Sequence, residues 1–189
     1  MELFHTYGMP GRWFSELFDV AAGQNGFVTS GDVRNLGGSN GVLVDLERHG
    51  HLERVERGLY RFVLFPTDPR DELMAAVLWP KDGGVISHDS ALDLWELCDV
   101  NPTAIHLTVP KSERLRRRIP AGYVVYRRHL EPDDLATVDG IATVTPLRAI
   151  LDGMERGLDG RLIAQAIDTA TRHGLILADE QRALGRSAQ

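Results

Sequence analysis

The chain has 189 residues, is 43% hydrophobic and carries a formal net charge of −6. That apolar content supports a packed core and excludes a disordered chain, and no apolar run reaches the ~18 residues of a membrane span. The single cysteine, Cys98, excludes an intrachain disulfide and leaves no basis for a cysteine-held zinc, so a reducing, cytoplasmic setting is expected.

The first residues, MELFHTYGMPGRWF, lack the basic start and apolar stretch of a secretory signal. Residues 12–23 place Trp13, Leu17, Val20 and Ala21 on one helical face, with Gly23 as the stop. Thr29 or Ser30 can cap a second short helix, with Asp32 in its first turn and Val33 and Leu36 on its apolar side. After a turn at Gly37 and Gly38, Ser39 is the expected cap of a third helix, in which Leu43, Leu46 and His49 share a face and which ends at Gly50. Two short helices so closely spaced are a helix-turn-helix signal.

HLERVERGLYRF follows, splitting at Gly58 into two strands joined by a tight turn. A hairpin after a third helix is the wing of a winged helix, and Arg54, Arg57 and Arg61 would line or tip it. Tyr60 suits the wing's core equally well. Residues 66–70, PTDPR, read as a linker. Beyond it, helices are expected over ELMAAVLW and SHDSALDLWEL, strands over 104–110, 122–127 and 140–145, and helices again from Thr145-Pro146 and across GRLIAQAIDTATRHG. The fold class is therefore α+β: an N-terminal winged helix-turn-helix domain over 1–65, a linker over 66–70, and a C-terminal α/β domain over 71–189 with a small sheet flanked by helices.

Charge is unevenly spread. Residues 66–110 hold two Lys/Arg against eight acids, whereas residues 111–128 hold seven against one. Local fields, rather than net charge, would guide a polyanion to such a chain. Candidate DNA-binding residues are Thr29, Ser30, Arg34, Ser39, Asn40 and Arg48 on the helices, and Arg54, Arg57 and Arg61 on the wing. Lys111, Arg114, Arg116, Arg117, Arg118, Arg127 and Arg128 form the basic segment, which could hold phosphates or dock an acidic protein surface. The third helix itself carries little positive charge, since Asp45 and Glu47 offset Arg48.

Asp89, Asp93 and Glu96 fall at helical spacing, and nucleases use carboxylates with Mg²⁺, but Ser87-His88-Asp89 is more simply a helix start. The histidines show no ligand spacing such as H-x-x-x-H, so neither a cofactor nor a metal is expected.

GFVTSGDVRNLG, LERHGHLERVERGLYRF, ISHDSALDLWEL, HLTVP and TPLRAILD, in that order, resemble the AbiEi antitoxin family. The resemblance implies a non-enzymatic regulator from a type IV toxin–antitoxin, phage-defence operon. Its winged helix would bind double-stranded DNA at its own promoter as a repressor. Its C-terminal domain would counteract a nucleotidyltransferase toxin without requiring a stable complex. A module that binds the toxin directly, with minor DNA binding, is the alternative; the metal-dependent nuclease is a third.

Overall fold

The structure, a computed structural model, describes residues 11–81, 83–115 and 118–187. The chain is α+β, with helices and two small sheets, and forms two compact units that divide between Trp79 and Pro80. No helix among the described residues is long and apolar enough to cross a membrane.

In the N-terminal unit, α1 (Arg12–Ala22) buries Phe14, Leu17 and Ala21, a three-and-four spacing that lines one helical face. It is followed by β1 (Phe27–Thr29), α2 (Ser30–Asn35), α3 (Gly41–Arg48), β2 (Leu52–Glu56) and β3 (Leu59–Phe62). The three strands form an antiparallel sheet in the order β1-β3-β2. Strand β1 is absent from the sequence reading because its three residues are too few to show alternation. The α2–α3 turn is drawn close to α1: a Cβ at Gly38 would lie 2.7 Å from the Trp13 ring and 2.8 Å from Val33. Only glycine fits there. Phe14, Leu17, Val28, Val33, Leu43, Leu52, Tyr60 and Phe62 make the core, with Phe18 and Phe65 packed against it. Phe62 meets Phe14 and Phe18 edge-on at 5.3 Å, the favoured geometry for aromatic pairs.

The segment read as a linker is held by the sheet. Buried Arg61 donates to the carbonyls of Phe65 (3.3 Å) and Pro66 (2.7 Å) and to Asp71 (3.2 Å). Asp71 opens α4 (Asp71–Leu78), which belongs to this first unit.

The C-terminal unit holds a five-stranded mixed sheet in the order β6-β5-β4-β8-β7, made of β4 (Val85–Ile86), β5 (Ile105–Val109), β6 (Tyr123–Arg127), β7 (Leu135–Val138) and β8 (Ile141–Val144). Two of these, β4 and β7, lie outside the three strands read from the sequence. Helices α5 (His88–Leu94), α6 (Pro146–Arg156), α7 (Gly160–Arg172) and α8 (Ala178–Ser187) complete it. Thr145 caps α6 by accepting from the Arg148 amide, Pro146 opens it, and Gly157 ends it with φ +78°. The core includes Ile86, Leu92, Leu97, Leu107, Ile141, Val144 and Ile150, and Cys98 is buried.

Candidate nucleic-acid interface

In the N-terminal unit the two short helices present different chemistry. Thr29 caps α2: its hydroxyl accepts from the amides of Gly31 and Asp32 at 3.1 Å and donates to Asp32 Oδ2 at 2.8 Å, while the Thr29 amide donates to the same carboxylate. That reciprocal box satisfies the first turn of α2, so the Thr29 hydroxyl is committed to the helix and leaves the set of DNA-contacting candidates. Ser30 is half-buried, and its amide donates to the Gly58 carbonyl at 2.9 Å. The start of α2 therefore abuts the β2–β3 turn that carries Arg57. Arg34 is exposed in the last turn of α2.

The N-cap of α3 is Asn40 rather than Ser39, and no side chain caps its first turn. Ser39, Asn40, Gly41, Val44, Asp45 and Arg48 are all exposed, while Leu43 is buried. The start of α3 thus carries two exposed polar side chains, and the Val42 amide donates to the Ser39 carbonyl at 3.0 Å. Arg48 is not a lone cation: its Nη2 pairs with Asp45 Oδ1 on the same face.

On the hairpin, Arg54 and Arg57 are exposed, with Glu53 and Glu56 beside them in sequence. A bulge between Arg54 and Glu56 re-aims the strand near the turn, where Gly58 takes φ +80°. Arg61 is a correction. It lies one residue from Tyr60 in a strand whose four residues are all buried, and its guanidinium serves the carbonyls and carboxylate described above. It is buried and committed inside the fold. Tyr60 is likewise a core residue.

In the C-terminal unit, Lys111, Arg114, Arg118 and Arg127 are exposed. Arg116 and Arg117 lie outside the described residues. Arg128 is a second correction: it donates to buried Asp152 at 2.5 Å and reaches Glu155 at 3.4 Å, so it binds β6 to α6. The two arginines are adjacent in sequence, but Arg127 ends β6 exposed while Arg128, just past the strand, is drawn onto α6.

The SHDS segment belongs to a buried polar network that the sequence reading treated as a helix start. His88 is 5% exposed and takes φ +52°, a strained conformation for a residue other than glycine. Its Nδ1 lies 2.9 Å from Ser87 Oγ and 3.7 Å from Asp152 Oδ2, and its ring stacks on Tyr126 at 3.5 Å. Thr108 donates to Ser87 Oγ at 2.9 Å, and Tyr126 Oη sits 3.1 Å from His106 Nδ1. Arg148 and Arg128 both serve Asp152 Oδ1, leaving the buried Oδ2 without a hydrogen bond. Burial, His106, Arg128 and Arg156 together push the His88 imidazole down to about 3. Burial pushes Asp152 up against the pull of Arg148 and Arg128.

Ser87 and Asp152 both approach the same nitrogen of His88, whereas a nucleophile relay needs them on opposite nitrogens. Asp89 is held by both arms of the Arg156 guanidinium, while Asp93 and Glu96 are exposed. Among the described residues no group of three or more His, Cys, Asp or Glu is placed to hold a metal ion. Arg148, Asp152 and Arg156, four residues apart along one helix, could have been found from their i, i+4 spacing and opposite charges in LRAILDGMER.

No curated protein matches the chain. Among solved structures, the crystal structure of the RV2827C protein from Mycobacterium tuberculosis shares the fold with a TM-score of 0.54 and 18% identity, over 93% of this chain and 73% of that one. A family model described as transcriptional regulator, AbiEi antitoxin, matches residues 15–63, from within α1 to the end of the hairpin. That family is the one the chain's motifs resemble.

Proposed function

We propose that this protein is a non-enzymatic, cytoplasmic DNA-binding regulator that represses its own operon as the antitoxin of a type IV toxin–antitoxin pair. In this reading the helix–strand–helix–helix–hairpin order of residues 12–62 is a winged helix. Helix α3 enters the major groove, and Arg54 and Arg57 neutralise phosphates beside it. The observation that carries the reading is the exposed face of α3, with its uncapped first turn, in a segment that matches a transcriptional-regulator family. The C-terminal unit counteracts a nucleotidyltransferase toxin, and Lys111, Arg114, Arg118 and Arg127 extend the phosphate footprint.

The test is a binding titration on the protein's own upstream promoter against scrambled DNA at two salt concentrations. Preferential, salt-sensitive binding is expected. Replacing Arg54 and Arg57 together with alanine should flatten the salt slope by about two charges' worth. Equal or absent binding on both DNAs overturns the reading and favours a module that docks the toxin directly.

A further inference from the structure

The outward face of α3 carries an unusual set of side chains for a helix that meets a polyanion. Asn40, Gly41, Val44, Asp45 and Arg48 form one exposed stripe at spacings of one, four, five and eight residues. The eight residues of α3 span ~12 Å, room for roughly three to four base steps. Val44 is 56% exposed, an uncovered methyl-bearing side chain in the middle of the stripe. Beside it Asp45 and Arg48 form an ion pair with both side chains open to solvent, at 55% and 72% exposure.

From these residues we infer that α3 is built to read a G·C pair flanked by A·T pairs, an assignment that rests on the operator-binding reading above. A carboxylate facing DNA is repelled by phosphates and by acceptor edges. The cytosine N4 amine is a major-groove donor that suits it, and the paired guanine offers N7 and O6 to an arginine. The Asp45–Arg48 pair presents an acceptor and donors side by side, matching that edge in one unit. The ion pair also holds Arg48 away from indiscriminate phosphate contact, so Asp45 favours specificity over raw affinity. Asn40 suits the N6 and N7 edge of adenine, and the Val44 methyls suit the thymine methyl. Gly41 leaves bare backbone beside Asn40, which keeps the first turn low against the groove.

The experiment is selection of duplexes from a randomised pool by the full chain. It is followed by titrations of the enriched site with each base pair changed in turn, for the natural protein, Asp45→Ala and Val44→Ala. Both substitutions are at exposed positions, and unchanged urea midpoints verify that each variant is folded. The natural protein should enrich a G·C pair at one fixed position with A·T neighbours, and changing that pair should weaken binding roughly 5- to 150-fold. Asp45→Ala should erase most of that discrimination while binding scrambled DNA more tightly. Replacing thymine by deoxyuridine should weaken the natural protein about fourfold, the worth of one buried methyl, and leave Val44→Ala indifferent. An enriched site whose base preferences are the same for all three proteins overturns the inference and leaves operator binding standing. A pool that shows no enrichment, together with no preference for the promoter, overturns both.

Discussion

His88 supplies a sharp test of the buried network in the C-terminal unit. Folding removes its ring from water, stacks it on Tyr126 and sets it near the Arg128 and Arg156 charges, so it stays neutral down to about 3 rather than its ordinary 6.5. The folded-state value is depressed, so between these limits the unfolded chain binds one proton more than the folded chain. Stability then falls as pH is lowered from 6.5, by about 1.4 kcal/mol per pH unit. At pH 5 the loss from His88 alone is about 2 kcal/mol. His106 adds in the same direction, chiefly through burial, with Asp89 opposing. The perturbation is His88→Asn: asparagine accepts positive φ and keeps a polar group for Ser87, but it does not titrate. Urea midpoints at pH 7.5, 6 and 5, followed by tryptophan fluorescence, should fall steeply for the natural protein and clearly less for the variant, whatever their absolute difference at neutral pH. Parallel declines would refute the assignment of a neutral, proton-resisting His88.

Three further substitutions probe other parts of the fold. Asp152→Ala removes the buried carboxylate shared by Arg128 and Arg148, which keep Glu155 as a partner; because both guanidiniums are also partly open to solvent, the cost should sit near the low end for a broken buried pair, about 3 kcal/mol in urea unfolding. Arg61→Met removes three hydrogen bonds from a buried guanidinium and should cost about 2 kcal/mol. It should leave the salt slope of DNA binding unchanged; a slope reduced by one charge would return Arg61 to the phosphate-contacting set. Gly26→Ala puts a Cβ 2.6 Å from Phe65 Cβ at a position with φ +86° and should cost about 2 kcal/mol. A thermal midpoint equal to the natural protein's would mean that Phe65 yields freely.

What could be read from the sequence follows the length and regularity of each signal. The helices carry apolar residues at three-and-four spacing with recognisable ends, and α1, α4, α6 and α7 fall where that pattern puts them. Strands β5, β6 and β8 are four or five residues of mostly β-branched and aromatic character and were equally legible. The strands that escaped, β1, β4 and β7, are short or lie among turn residues; β4 has two residues and exists only because β5 and β8 flank it. At the candidate site, Arg54, Arg57 and Asn40 are exposed as expected, since polar residues at turns and helix starts face water by default. Arg61 and Arg128 escaped because an arginine's role depends on which carboxylates and carbonyls the tertiary fold brings to it. Asp71 and Asp152 lie ten and twenty-four residues away from them.

The placement of β4 also sets an order of assembly on a nascent chain. The N-terminal sheet closes once Phe62 has left the ribosome, and Asp71 follows within a few residues to lock Arg61. The C-terminal sheet cannot close that early. Its middle strand is emitted at Val85–Ile86 but waits for an inner neighbour at Ile141–Val144, and His88 waits for Asp152. About eighty residues of synthesis, several seconds at ~5–20 residues per second, separate the two events. A message cut between these points would release a finished N-terminal unit attached to an unclosed sheet edge, so quality control acting on this protein would meet its C-terminal half first.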